Sequence, residues 1–129
     1  MAADEHLHGD QFPATMRAGD IRDPSKVWPS DAFLAHTPEQ MWQMKRAQAE
    51  KGAINNAWRP ALEGHETLAE NIAREGLKEP VEMLPAGADW ESDGLMIHGG
   101  DRPMLIGGHH RVSVLDDDHE VPVRWLQGS

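Results

Sequence analysis

The residues that most constrain the fold are two consecutive glycines between a strand pattern and a helix pattern. An apolar run at 104–106 leads directly into Gly107 and Gly108, and a helical pattern follows at 109–118. Glycine permits a tight turn and a close approach to the backbone that other residues do not allow. The chain therefore has to leave a sheet and enter a helix within two residues.

Flanking patterns predict a small domain of the α/β (α+β) class. Leu68 and Ile72 share one helix face, and Gly76 is placed to end that helix. Short apolar runs predict strands, and stretches rich in proline and glycine predict turns between them. The predicted elements are a helix at 66–76, a strand at 81–84, a loop at 85–94, a hairpin of strands 95–97 and 104–106, a helix at 109–118 with Val112 and Leu115 inward, and a strand at 121–125. These elements predict a compact domain with a small mixed sheet.

The first 60 residues predict an N-terminal extension that is partly helical, and residues 61–129 form the predicted domain. Thr37 and Pro38 are a good helix start, Gln40 completes a capping box, and Gly52 ends the helix. Residues 1–30 show no sustained period and are interpreted as an arm. The arm is either flexible or held against the domain by its isolated large residues, Phe12, Met16, Ile21, Val27 and Trp28.

Charge is distributed unevenly along the chain. The 129 residues include 22 acids and 12 bases, a formal net charge of −10. Residues 61–129 hold 14 of the acids and 5 of the bases. This excludes a broad basic surface for nucleic-acid backbones, which depends on many Lys and Arg side chains. A focused anion site remains compatible with the charge, because a few backbone N–H groups and one arginine act locally.

Absent residue types and patterns exclude further classes of protein. The chain has no cysteine, which excludes a disulfide framework, a thiolate metal site and a cysteine nucleophile. No apolar run approaches the ~20 residues that cross a bilayer, and residues 1–10 are unlike a signal peptide. We expect a soluble, cytoplasmic protein without membrane contact.

The turn at 107–111 has features that favour binding of an anion. The first-turn N–H groups of a helix and its dipole favour an anion, and Arg111 offers a planar fork for a phosphate or a carboxylate. The alternative is structural, with the glycines only making the turn and Arg111 pairing with a nearby acid. The spacing by itself supports both interpretations.

The same turn, taken with the stretch at 68–81, resembles the ParB/sulfiredoxin superfamily. Members share a helix ending in glycine, a strand that starts with proline and isoleucine or valine, a turn and helix of the form Gly-x-His/Arg-Arg, and a closing strand. Here these pieces are Leu-Ala-Glu-Asn-Ile-Ala-Arg-Glu-Gly at 68–76, Pro-Val at 80–81, Gly-Gly-His-His-Arg at 107–111 and the strand at 121–125. The resemblance covers about residues 62–126 and implies a small ParB-like nuclease domain, a group found in bacteria and their phages.

The resemblance implies a nucleotide (CTP or ATP) or another phosphate ligand at this turn. In relatives the turn and its arginine hold phosphates, helped by polar residues of the preceding helix. Thr67 and Asn71 lie four apart on one helix face, and Glu79 precedes the strand proline. The implied phosphate-binding residues are Gly107, Gly108, His109, His110, Arg111, Thr67, Asn71 and Glu79.

Two departures from the family narrow what the resemblance implies. Sulfiredoxins have their catalytic cysteine where this chain has His109, so sulfinic-acid reduction is excluded. ParB proteins proper have Glu and Arg in place of His109 and His110, and later DNA-binding and dimerisation segments. A CTP-driven DNA clamp is therefore not expected.

Whether the domain is an enzyme stays open at this stage. A metal-dependent nuclease or nucleotide hydrolase would use Mg²⁺ or Mn²⁺, with His109 and His110 as catalytic acid or base. No metal ligand is predicted. The acids at 116–118 lie at the opposite end of the predicted helix from His109, and a metal site would also need His98 to lie beside His109.

The competing hypothesis is a non-enzymatic interaction protein of phage or bacterial origin. Its acidic face and the extension that carries Trp28, Trp42 and Trp58 would bind a host protein. The same tryptophans could instead pack the extension onto the domain.

Overall fold

A mixed sheet of five short strands lies at the centre of the fold. The computed structural model describes residues 12–54, 58–60, 66–77 and 79–126. The elements are β1 (Thr15–Arg17), α1 (Ala18–Ile21), β2 (Trp28–Pro29), a 3-10 helix (Ser30–Leu34), α2 (Pro38–Lys51), β3 (Gly52–Ile54), β4 (Trp58–Pro60), α3 (Leu68–Glu75), β5 (Val81–Leu84), β6 (Asp89–Ser92), β7 (Leu95–His98), β8 (Met104–Gly107), α4 (His109–Ser113) and β9 (Glu120–Trp125). Within these ranges, no helix is long and apolar enough to cross a membrane.

The strands of the central sheet run in the order β1-β9-β5-β8-β2. β9 is parallel to β5 and β2 is parallel to β8, whereas β1 with β9 and β5 with β8 are antiparallel. β3 with β4 and β6 with β7 form two separate antiparallel hairpins. The predicted α+β class with a small mixed sheet is confirmed.

The N-terminal segment contributes to the central sheet and to its core. β1 and β2 are the two outer strands, and Phe12 packs edge-on against Trp125 with ring centroids 5.4 Å apart. The central sheet therefore contains strands from both sides of residue 60, where the predicted extension ends. From the first 60 residues, the core includes Ala18, Ile21, Val27, Met41 and Trp42.

Two helices follow their local sequence signals. The Thr37 hydroxyl accepts a hydrogen bond from the Gln40 amide at the start of α2, and the helix ends at Gly52 as predicted. α3 begins with a capping box in which Thr67 and Glu70 exchange hydrogen bonds. It ends at Gly76, whose positive φ of 78° with an extended ψ is a conformation that glycine adopts without strain.

The predicted hairpin of 95–97 with 104–106 is wrong, and so is the predicted loop at 85–94. β7 pairs with β6, which lies inside that loop, and β8 pairs with β5 and β2. Asp93 and Gly94 make the connection, with φ values of 51° and 82°. An Asp-Gly pair with two positive φ values is typical of a two-residue hairpin turn, so the signal for the correct pairing was present in the sequence.

The helix predicted at 109–118 is shorter in the structure and ends at Ser113. Arg22 donates to the carbonyl oxygens of Val112 and Leu115, at 2.5 and 2.8 Å, and so satisfies groups that a longer helix would bond internally. Val112 and Leu115 are buried as predicted. The acids that follow pair with the N-terminal segment, Asp117 with Arg22 and Asp118 with Arg17.

We expect Arg22→Ala to lower the free energy of unfolding by about 2–3 kcal/mol, because it removes charge-assisted hydrogen bonds to two carbonyl oxygens. Arg17→Ala is the matched control. It removes an exposed ion pair from the neighbouring acid and should cost less than about 1 kcal/mol. Urea denaturation of both variants measures the difference, and equal losses would show that Arg22 does not cap α4.

Candidate functional site

The turn between β8 and α4 leaves backbone amides without acceptors inside the helix. Gly108 is the N-terminal cap, with a left-handed φ of 103°, and no side chain caps the helix. The first intrahelical bond runs from the Val112 amide to the Gly108 carbonyl oxygen. The amides of the three residues before Val112 therefore have no intrahelical acceptor.

Of the two glycines of the turn, Gly108 is the one that the neighbouring strand β5 requires. A Cβ at Gly108 would lie 2.6 Å from Val81 Cγ1, and a Cβ at Gly107 would lie 2.9 Å from Glu82 Oε1. Gly108 also has the positive φ that other residues rarely adopt. The structural interpretation is therefore sufficient to explain Gly108, whether or not a ligand binds, whereas a Cβ at Gly107 would meet only the movable end of the Glu82 side chain.

Arg111 lies against the same turn. Its Nη1 donates to the Glu79 carbonyl oxygen at 3.3 Å, and its Nη2 is 3.3 Å from the position that a Cβ on Gly108 would occupy. The side chain is half-buried. Among the described residues Arg111 forms no salt bridge, so its charge is not neutralised by a carboxylate there.

A carboxylate lies on the β5 side of the turn. Glu82 Oε1 faces Gly107, and Glu82 Oε2 is 3.2 Å from Arg124 Nη2. Its negative charge opposes an anion at the turn, and the ion pair with Arg124 offsets part of that charge.

The two histidines of the turn take part in a group of polar side chains that we call the inner cluster. It joins the 3-10 helix, α2 and α4 and consists of Asp31, Lys45, Gln48, His109 and His110. Asp31 Oδ2 accepts a 2.7 Å hydrogen bond from Lys45 Nζ and lies 3.6 Å from His109 Nδ1. His110 Nε2 is 2.7 Å from Gln48 Oε1. Lys45 is buried, and a buried ammonium is tolerated when it has such a partner.

Burial keeps both imidazoles neutral at physiological pH. Burial lowers the pKa of His109 to about 4, and the Asp31 carboxylate only partly opposes that shift. Burial also lowers the pKa of His110 to about 4, with the positive charge of Lys45 acting in the same direction. The pKa of Asp31 lies below its usual value. Its burial raises that pKa, but this is outweighed by the hydrogen bond and positive charge of Lys45 together with the charge that the imidazoles carry once protonated.

His109 faces the interior of the protein. It is 4% exposed, and its ring lies 5.7 Å from that of Trp42, centroid to centroid. Trp42 Nε1 and His109 Nε2 are buried without a hydrogen-bond partner among the described residues. The side chain of His109 therefore supports the turn from inside and does not line its surface.

Thr67 and Asn71 make their hydrogen bonds within α3 and its N-terminal flank. Thr67 belongs to the capping box, and Asn71 Nδ2 donates to Glu66 and Glu75. Glu79 is exposed, and its backbone carbonyl oxygen accepts a hydrogen bond from Arg111. Of the residues outside the turn that sequence reasoning selected, the structure shows Glu79 in contact with Arg111.

His98 lies in the β6–β7 hairpin, where its Nδ1 is 3.0 Å from Asp89 Oδ1. His109 is instead enclosed by Trp42 and Asp31. In the part of the chain that the structure describes, no group of three or more His, Asp or Glu residues is placed to hold a metal ion.

Sequence reasoning missed the partners of the two histidines. Asp31, Lys45 and Gln48 lie in the segment interpreted as an extension. A signal was available in α2, where the buried positions Met41, Trp42, Lys45 and Ala49 place a lysine within an otherwise apolar face. A lysine on such a face requires an acid, and Asp31 precedes the helix.

No family model, curated protein or solved structure matches this chain. The resemblance to the ParB/sulfiredoxin superfamily therefore depends on the motifs at 68–81, 107–111 and 121–125.

We expect the protein to lose stability as the pH falls from about 6.5 to about 4. Over this range an unfolded histidine takes up a proton, whereas His109 and His110 stay neutral in the folded state until pH about 4. Protonation thus favours the unfolded chain, by up to about 1.4 kcal/mol per pH unit for His109 and less for the half-buried His110. Urea denaturation at pH 7, 6 and 5 measures the slope.

The double variant His109→Gln, His110→Gln should flatten that slope. His119→Gln is the control, because it removes an exposed histidine that lies outside the inner cluster. An unchanged slope in the double variant would show that the lowered pKa values of His109 and His110 are not the cause of the pH dependence.

Proposed function

We propose that this chain is a cytoplasmic phosphate- or nucleotide-binding domain of the ParB-like type, with its site at the turn 107–111. The ligand's phosphate would accept hydrogen bonds from the backbone amides of the first turn of α4 and would pair with Arg111. CTP or ATP would supply such a phosphate. Both are cytoplasmic metabolites, which agrees with the location expected from the sequence.

The observation that carries this proposal is the position of Arg111. Its guanidinium lies against a turn whose amides have no side-chain cap, and its hydrogen bond goes to a neutral carbonyl oxygen. An arginine that only stabilised the fold would be expected to pair with one of the many carboxylates of this acidic chain. A phosphate provides the planar, doubly accepting partner that guanidinium favours.

The proposal is one of binding and does not extend to catalysis by His109 and His110. His109 is enclosed by Trp42 and Asp31, and His110 is hydrogen-bonded to Gln48. With pKa values near 4, both imidazoles are weak bases at neutral pH. A Mg²⁺ or Mn²⁺ ion would arrive on the nucleotide's own phosphates, as Mg²⁺ commonly does in phosphate sites.

Calorimetric titration with phosphate, pyrophosphate, CTP and ATP, with and without Mg²⁺, tests the proposal. We expect Arg111→Ala to weaken binding at least tenfold, about 1.4 kcal/mol, because it removes the cation of the site. Arg111→Lys should recover only part of the loss, since lysine lacks the planar fork. Arg46→Ala removes an exposed arginine from α2 and serves as the charge-matched control.

Glu82→Gln should change affinity in the opposite direction. It removes the negative charge that faces Gly107 and should tighten phosphate binding severalfold. The proposal is lost if none of the four ligands binds the wild-type protein, or if Arg46→Ala weakens binding as much as Arg111→Ala. Hydrolysis of CTP or ATP that disappears in His109→Gln would contradict the restriction to binding.

A further inference from the structure

The β6–β7 hairpin presents an unusual surface for a ribbon of ten residues. Leu95 is 72% exposed and Met96 is 49% exposed, and they follow the turn directly. Successive strand residues point to opposite faces, so each face of the hairpin tip carries one exposed apolar side chain. Leu95 stands opposite Ser92, and Met96 opposite Glu91.

Backbone contacts define the strand pairing at both ends of the hairpin. At its base the Gly99 amide donates to the Ala88 carbonyl oxygen at 2.7 Å, and a Cβ on Gly99 would lie 2.4 Å from that oxygen. At its tip, Asp93 and Gly94 form the two-residue turn that sets the pairing register.

The hairpin is also acidic and has a free edge. Asp89, Glu91 and Asp93 lie within residues 86–98, which contain no lysine or arginine. Among the described residues β6 and β7 pair only with each other, so the outer edge of β7 has unpaired backbone groups near Leu95. Exposed strand edges accept further strands, and alternating side chains of an added strand reach both faces.

We propose that the outer edge of β7 binds an extended segment of another protein, in which large apolar residues alternate with Lys or Arg. The segment adds a third strand to the hairpin, and its apolar side chains cover Leu95 on one face. Its Lys or Arg side chains lie on the opposite face, where their aliphatic stems cover Met96 and their charges face Glu91, with Asp93 adding negative charge at the tip. A second copy of this chain is the less suitable occupant, because it would place three carboxylates against three others. The surface is separate from the turn at 107–111 and does not depend on phosphate binding.

A second exposed apolar pair provides an internal control. Phe33 and Leu34, in the 3-10 helix, are 79% and 47% exposed, but they lie on no strand edge. If exposed apolar area alone determined binding, this pair would contribute as much as Leu95 and Met96.

Selection from a phage-displayed library of random 12-residue peptides tests the proposal. The full-length protein is the target, and the variant Leu95→Ser, Met96→Ser is used for counter-selection. We expect the selected peptides to alternate large apolar residues with Lys or Arg. A synthetic peptide of the selected sequence should lose at least tenfold in affinity for the counter-selection variant. Methylation of alternate backbone nitrogens in the peptide should abolish binding, because strand addition needs those N–H groups.

Two further variants separate the contributions to binding. Glu91→Gln with Asp93→Asn should weaken binding at least threefold and reduce its dependence on salt, and Asn tolerates the positive φ at position 93. Phe33→Ser with Leu34→Ser should stay within twofold of wild type. The proposal is overturned if no sequence is enriched, if the enriched peptides lack basic residues, or if the Phe33 and Leu34 variant loses as much affinity. Dimerisation of the free protein that disappears with Leu95→Ser, Met96→Ser would identify a second copy as the occupant instead.

Discussion

The ion pair between Asp31 and Lys45 is the interaction on which the arrangement of helices around the turn depends. Lys45 is buried in α2, and its ammonium finds its acceptor 2.7 Å away on the 3-10 helix. The same carboxylate faces His109, the first residue of α4. One half-buried carboxylate therefore connects three elements. Removing Asp31 would leave the buried ammonium of Lys45 without its counter-charge, and an uncompensated buried charge destabilises a fold strongly.

In this arrangement His109 and Arg111 of α4 face different surroundings. Successive helical residues are rotated by about 100°, so His109 can point inward to Trp42 while Arg111 lies against the outer side of the turn. The histidines hold α4 in place from the interior. Arg111 remains available to an anion. At the other end of α4, Arg22 of the N-terminal segment donates hydrogen bonds to the carbonyl oxygens of Val112 and Leu115.

The sequence was informative where structure is set by local contacts. Thr37, Gly52 and Gly76 mark helix ends through hydrogen bonds or backbone conformations that involve only near neighbours, and all three were predicted. Features set over long separations were not predicted. β1 and β2 have three and two residues, too few to show a period, and their place depends on partner strands far along the chain. The end of α4 depends on Arg22, about 90 residues earlier. Within the site, the turn and Arg111 were found from sequence, whereas Asp31 and Lys45 were not, because no local pattern links them to His109.

The contact between Gly108 and Val81 has a consequence for reading related sequences. Since strand β5 leaves no space for a Cβ at position 108, a related chain with the same sheet would retain that glycine whether or not it binds a ligand. Gly108 is therefore a marker of the fold. The sheet does not require Arg111 in this way, so under the proposed function its presence or replacement is the better guide to which related chains bind an anion.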